Sequence, residues 1–288
     1  MTIVIHGDTG PHAYLNLVRT VIKEGVKRAP RNEQTRDLGL TVVEILGPTR
    51  AYPVGVGRGL NRRIVAAEAV QLVGAFSDPD LLGPSFEPYK EADGRFWGAY
   101  GDRIRTQLVD VVRKLRHDHN TRQAVISLWD PQLDNVPFKH DYPCTLVLTF
   151  SVDYAGRLDL DVVMRSQDVW LGSPYDWGQF SVMLMTVATL LDREVGTYRH
   201  TTLSTHIYER NVAEALTKLH AQPEEVGVDA FPPGFARKAD TAFGLIRRLR
   251  RLPYDSGSYV NSEHWYRDAL GASSGAFIRP GDRGSCLD

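Results

Sequence analysis

The sequence predicts an α+β fold, with helices and strands mixed along one chain and no regular strand–helix–strand rhythm. Three stretches carry that expectation. Tyr14, Leu17, Val18, Val21 and Ile22 recur at the spacing that lines one face of a helix. In 145–152, Leu146, Leu148, Phe150 and Val152 alternate with Thr145, Val147, Thr149 and Ser151. After the turn sequence Tyr154-Ala155-Gly156, Leu158, Leu160 and Val162 alternate with Asp159 and Asp161. Such a pair reads as a hairpin with one buried face. Residues 177–191 (WGQFSVMLMTVATLL) are apolar almost all round, as in a helix enclosed by its own domain.

The other elements follow in chain order. Residues 40–46 (LTVVEIL) form a strand between Gly39 and the Gly47-Pro48 breaker. A helix covers 62–74, with Ile64, Val65, Glu68, Leu72 and Val73 near one side, and another covers 99–118. Residues 123–129 suit a strand. Beyond the buried helix come a strand near 200–206 and a helix from Tyr208 to Leu219. From Gln222 onward Pro, Gly and basic residues become frequent. The expected organisation is therefore a single domain over 1–288 whose C-terminal region diverges from about 222. The last stretch, SGAFIRPGDRGSCLD, reads as a tail carrying Cys286 as an incidental exposed thiol.

Composition narrows the function classes. Lys and Arg number 34 against 35 Asp and Glu, which points to neither a nucleic-acid nor a membrane partner. No apolar run approaches the roughly 20 residues that cross a bilayer, and the first residues lack a secretory pattern, so the expected compartment is the cytoplasm. Cys144 and Cys286 are the only cysteines, which leaves no disulfide framework and no thiolate metal cluster. No metal site is expected.

Cys144 follows a proline in HDYPCTL, where a polar loop enters the first hairpin strand. An isolated cysteine is more often a small buried hydrophobe. At a loop–strand junction, however, a ligand can reach it. Reactivity there calls for a lowered thiol pKa and hence a nearby cation, which Arg165 supplies if the hairpin pairs in register. Arg165-Ser166 at a strand end can also offer a guanidinium fork and a hydroxyl to a phosphate, although a surface ion pair would explain a lone arginine.

The stretch RSQDVWLGSPYDWGQF (165–180) resembles the most distinctive block of the thymidylate synthase family, RSxDxFLGxPFNIAxY. YPC at 142–144 resembles the family's Pro-Cys nucleophile site, and THIY at 205–208 its His-x-Tyr sugar-binding element. TRQAVISLWDP (121–131), GAYGDRIR (98–105) and RIVAAEAVQLVG (63–74) resemble further blocks, all in family order from about residue 60 to 210.

The resemblance implies a mixed twisted sheet with flanking helices and a sheet-mediated homodimer. It implies that Cys144 attacks C6 of a pyrimidine nucleotide and makes C5 nucleophilic toward the carbon carried by 5,10-methylenetetrahydrofolate. Arg165 and Ser166 would hold the 5′-phosphate, with Arg122 reaching it across the dimer and Arg31 joining it. His206 and Tyr208 would bind the sugar, and the Asp168 backbone would meet the base. Glu68 would organise water and protons near the base. Tyr100 stands between active-site ordering and plain packing, and a helix glutamate satisfied by arginine is the structural alternative for Glu68.

The sequence departs from the family pattern in ways that bear on substrate. Gln123 replaces the second arginine of an Arg-Arg pair, so Arg62 or Arg63 are candidates to restore the charge. Thr145 stands where His follows the nucleophile. The tryptophan expected before GAYG gives way to Phe86, Tyr89 and Trp97, and the chain end does not match the tail that closes over folate.

The most informative departure is Asp176, where the family has Asn. An Asn amide matches the uracil edge, donating to O4 and accepting from N3–H. A carboxyl accepts from the N4 amino group of cytosine and, when protonated, donates to N3. Protonating N3 would also favour thiol attack at C6. Helix capping alone does not explain the change, because Asn caps equally well.

This Asn-to-Asp exchange resembles the cytidylate hydroxymethylases of the family, in which water quenches the intermediate. The expectation is a CMP or dCMP 5-hydroxymethylase, with CMP favoured by resemblance to enzymes of nucleoside-antibiotic pathways. The alternatives are a dUMP-methylating thymidylate synthase and a non-catalytic nucleotide- or RNA-binding relative.

Overall fold

A computed structural model describes residues 2–219, apart from 54, 55 and 138. The divergent region from about 222, Cys286 and the Arg62 side chain lie outside the described residues. The elements run β1 (Ile3–Gly7), α1 (Gly10–Glu24), β2 (Val26–Arg28), β3 (Thr35–Asp37), β4 (Thr41–Ile45), α2 (Arg62–Gly74), α3 (Tyr100–His117) and β5 (Val125–Ser127). They continue α4 (Pro131–Asp134), β6 (Thr145–Val152), β7 (Leu158–Met164), β8 (Gln167–Asp168), α5 (Ser173–Leu190), β9 (Val195–Thr202), β10 (Thr205–Tyr208) and α6 (Glu209–Lys218). The α+β expectation holds. The strands form a six-stranded mixed sheet, β1-β4-β9-β7-β6-β5, and a four-stranded sheet, β2-β3-β10-β8.

The hairpin of β6 and β7 pairs as its alternation predicts, with Leu148 opposite Val162 and Phe150 opposite Leu160, all fully buried. A register shift between Thr145 and Val147 turns Leu146 out of the buried row. One face of the large sheet, with Val43, Ile45, Ile126, Leu160, Val162 and Tyr198, is sealed in the core with α1 and α5. The other face, with Val42, Val147, Thr149, Val163 and Thr201, is only half-buried.

Three boundaries differ from expectation. Helix α5 begins at Ser173, upstream of Trp177, because Gly172 precedes it and Pro174 pre-sets the first turn. Asp176 is therefore inside the helix, and its side chain makes no capping bond. The strand near 200–206 is two strands, β9 and β10, which break at Leu203-Ser204 and pass from one sheet to the other. Strand β5 is shorter than 123–129.

Helix α3 enters beside α2 with little room. A Cβ at Gly101 would lie 1.9 Å from the Phe76 carbonyl oxygen, so the second glycine of GAYG is a close-approach glycine. Arg103, one turn in, forms a fork on Asp134 at 2.6 and 2.9 Å, and Trp97 Nε1 donates to the same carboxylate at 3.1 Å. Trp97 is thereby committed to this structural network. Burial pushes the Asp134 carboxyl up, but these donors hold it below the ordinary carboxylate value. Asp134→Ala leaves the Arg103 charge, 11% exposed, without its partner. The expected cost is about 3 kcal/mol or more, read as a lower urea midpoint at unchanged slope.

Candidate active site

Cys144 stands at the entry to β6, where the polar 135–143 loop meets the hairpin. The Arg165 backbone N–H donates to the Cys144 carbonyl at 2.8 Å, which fixes the two residues side by side. Arg165 Nε donates to the Pro143 carbonyl at 3.0 Å, and its Nη2 lies 3.8 Å from Cys144 Sγ. The cation sought from the sequence is in place. It does not, however, win. Burial pushes the thiol up to about 11, Asp176 and Asp141 push the same way, and Arg165 and Arg31 pull only partly back. The expected lowering of the thiol is thus corrected: in the free protein Cys144 is a protonated thiol.

Arg31, on the turn at Pro30–Asn32, is exposed and adopts φ 51, an unfavourable left-handed conformation for an arginine. It nonetheless acts on Cys144, so the structure brings Cys144, Arg165, Arg31 and Asp176 into one electrostatic group.

Asp176 lies beneath them on α5. Its Oδ2 accepts from Gln167 Nε2 and its Oδ1 from Gln179 Nε2, both at 3.1 Å. Burial pushes it up to about 6 against these two donors. Glu68 on α2 is pushed up to about 8, first by burial and then by the Asp176 charge. Glu68 is half-buried as a residue, yet its Oε2 is shut off from solvent and finds no hydrogen-bond partner among the described residues. Two carboxyls that repel each other in this way do not both ionise readily. Near neutral pH, Glu68 is the protonated one.

The Glu68 shift makes a stability prediction. The folded chain keeps this proton up to about pH 8, whereas the unfolded chain releases it near the ordinary value of 4.5. The folded state therefore loses stability as pH rises through that window. Glu68→Gln removes the penalty. Its gain over the wild type is small at pH 5 and grows steadily to pH 8.5, read by chemical unfolding at the two pH values.

Tyr100 opens α3 and accepts from the Thr145 backbone N–H at 3.2 Å and from Thr145 Oγ1 at 3.0 Å. Thr145, which stands where the family has histidine, thus anchors Tyr100. Burial drives the phenol well above its ordinary value, as do Cys144 and Asp176, so its own proton stays available to donate. The Tyr100 ring also stacks on Phe180, 6.1 Å between centroids, so ordering and packing are both present.

His206 and Asp168 are paired across β10 and β8. Asp168 Oδ1 accepts from the Trp170 and Leu171 backbone N–H groups at 2.8 and 3.0 Å, while its buried Oδ2 has no hydrogen-bond partner among the described residues. Burial is the main cause that raises this carboxyl. The His206 and Tyr208 rings meet edge to face at 5.4 Å. Ser166 is half-buried between β7 and β8.

Arg122 is not among the residues that act on Cys144. It precedes β5, whose first pair is Val125 with Thr149, five residues along β6 from Cys144. Arg63 is not available as a replacement clamp, since it is buried and donates to the Leu81 carbonyl at 2.6 Å.

Sequence reasoning missed Gln167, Gln179, Asp141 and Arg58. Asp141 presses on Cys144, and a Cβ at Gly98 would strike its carboxylate at 2.4 Å. The Arg58 guanidinium lies 4.7 Å over the Trp170 ring and pulls on Asp168. Gln179 had a signal, one helical turn beyond Asp176. Arg58 had none.

A thiol at a strand mouth, faced by arginines and underlain by two carboxyls whose proton affinity burial has raised, has the layout of a covalent-catalysis site. The chain belongs to the thymidylate synthase family, whose model matches residues 12–228. It is similar to the deoxyuridylate hydroxymethyltransferase of Bacillus phage SP01, 32% identical over 233 residues, covering 74% of this chain and 60% of the relative. It is also similar to the deoxyuridylate hydroxymethyltransferase of Pseudomonas phage M6, 29% identical over 212 residues, covering 69% of this chain and 60% of the relative. The chain thus spans about three-fifths of the length of these relatives.

Proposed function

We propose that the protein is a cytidylate 5-hydroxymethylase, acting on CMP ahead of dCMP with 5,10-methylenetetrahydrofolate as one-carbon donor. The observation that carries the cytosine reading is Asp176, a buried carboxyl held at about 6, close enough to neutrality to lend a proton and take it back. Cytosine has a basic N3 that can receive that proton and an amino group at N4 that donates to the carboxylate left behind. Uracil N3 already carries its own hydrogen and gains no such activation. CMP stands ahead of dCMP on the resemblance to antibiotic-pathway enzymes alone.

The same exchange releases the nucleophile. The charge on Asp176 helps to hold the Cys144 thiol protonated. Once the proton has passed, the N3–H and N4 amino group of the ring lie against the carboxylate and offset its charge, which leaves Arg165, 3.8 Å from Sγ, to favour the thiolate. The S–H bond breaks with its proton passing to solvent, sulfur bonds to C6, the C5–C6 π electrons move onto C5, and C5 becomes the nucleophile. The folate, when bound, supplies a carbon at the oxidation level of formaldehyde. The buried, unpartnered Asp168 Oδ2 and the Arg58–Trp170 pair fit a ring that carries amino and amide donors. Glu68, whose Oε2 also lacks a partner among the described residues, positions the water that adds the hydroxyl.

Arg165, Ser166 and Arg31 would hold the phosphate, and His206 and Tyr208 the sugar. Arg122 would serve the site of a second subunit, as the family resemblance implies. The half-buried face with Val42, Val163 and Thr201 is the surface on which a homodimer would form.

The phage relatives' names favour a second reading, 5-hydroxymethylation of dUMP, and a protonated Asp176 can also donate to O4 and accept from N3–H. Mass analysis of CMP, dCMP and dUMP offered together with methylenetetrahydrofolate separates the readings. The proposal expects a cytosine nucleotide heavier by one CH2O unit. A gain confined to dUMP, or a CH2 gain with dihydrofolate release, would sink it.

A further inference from the structure

Asp176 is gripped from two sides. Gln167 stands on β8 and Gln179 one turn along α5, and each donates one amide hydrogen to a different carboxylate oxygen at 3.1 Å. All three side chains are buried, with Gln167 at 4%, Gln179 at 5% and Asp176 at 9% exposure. Gln167 is oriented from behind by Thr202 Oγ1 of β9, which donates to its carbonyl at 3.3 Å. Neither glutamine occupies a fixed position of the RSxDxFLGxPFNIAxY pattern. A carboxylate oxygen has two lone pairs, so each oxygen keeps one for a ligand.

We propose that Gln167 and Gln179 are positioning residues that aim the two free lone pairs of Asp176 at the base and stabilise the carboxylate formed when its proton passes to the ring nitrogen. The inference rests on the cytosine chemistry proposed above. In the step itself the O–H bond of Asp176 breaks, N3–H forms, and the electron pair stays on the carboxylate. That carboxylate then accepts from N3–H, from the N4 amino group and from both glutamines.

The surroundings otherwise oppose this transfer. Among the described residues, the titratable groups that face Asp176 are Glu68 on α2, Tyr100 on α3, Cys144 at the entry to β6 and Tyr198 on β9, and none of the four is a cation. Burial adds to the opposition, and the two glutamines pull the other way. Without them the acid keeps its proton. The base then binds but its C6 is not activated, so the loss falls on kcat rather than on KM.

The test uses Gln167→Met and Gln179→Met, two variants on different elements, in the full chain. Difference infrared titration follows the Asp176 carboxyl, identified by the band lost in Asp176→Asn. The pH profile of kcat/KM with the cytosine nucleotide is measured alongside it. In the wild type the carboxyl titrates near 6. Each variant is expected to bind that proton about tenfold more tightly, with kcat about tenfold lower and KM little changed. The descending limb of the profile moves to higher pH in step. An unmoved infrared midpoint in either folded variant overturns the proposal, as does an Asp176 still protonated at pH 8 in the wild type. If cytosine nucleotides are not substrates, the proposed function fails while the infrared titration still decides the role of the glutamines.

Discussion

Cys144→Ser lowers turnover about ten-thousandfold at saturating substrate while leaving the fold intact. The size follows from the pocket. Burial and two carboxylates already hold the thiol at about 11, with Arg165 pulling against them. A serine hydroxyl is a far weaker acid and stays protonated there even with the base seated. The oxygen is also the poorer nucleophile. The fold is spared because serine is close in size and the sulfur's polar contacts are slight, 3.8 Å to Arg165 Nη2 and 4.0 Å to the Tyr142 carbonyl. Unfolding free energy should stay within about 0.5 kcal/mol of the wild type. Single-turnover kinetics beside urea unfolding checks both halves. Turnover retained within tenfold would remove Cys144 from the mechanism.

Asp176→Asn is expected to lower kcat/KM for the cytosine nucleotide about a thousandfold and to raise it for the uracil nucleotide. An amide cannot lend a proton to N3, and its amino group faces the N4 amino group or the N3–H of an activated ring. Against uracil the same amide donates to O4 and accepts from N3–H. The exchange has a cost inside the protein as well. Gln167 is held with its amino group toward position 176 by Thr202, so one donor in the pocket meets an amide that offers a single acceptor. The uracil gain should therefore be smaller than the cytosine loss. Competition between the two nucleotides in one vessel reads the ratio directly. An unchanged ratio would take base selection away from Asp176.

What the sequence disclosed is what short-range periodicity and motif order encode. The helix over 62–74 and the strand over 145–152 match their observed bounds because their patterns are local. Arg165 and Asp176, at the two ends of the distinctive block, converge on Cys144 because one hairpin and one helix carry them. Strands β2, β3 and β8 escaped because two or three residues hold no period, and their pairing joins distant parts of the chain.

The thiol's proton affinity was misjudged for a related reason. A neighbouring cation can be inferred from a hairpin register, but the depth of burial and the approach of Asp141 and Asp176 belong to the packed state. Gln167 and Gln179 were passed over because nothing in their spacing says that both amides end on one carboxylate. Arg122 sat in a recognisable block, yet only the packed chain shows that it is not among the residues that act on Cys144.

The central claim is that Cys144 attacks a cytosine ring which Asp176 has activated. Attack at C6 makes C5 basic, so the C5 hydrogen should exchange with solvent before any one-carbon transfer. Proton NMR of CMP, dCMP and dUMP in deuterated water with the protein, without folate, follows that exchange directly. The account predicts loss of the C5–H signal from a cytosine nucleotide, much slower loss from dUMP, and none with Cys144→Ser. Exchange of dUMP alone, or exchange that persists in Cys144→Ser, would contradict it.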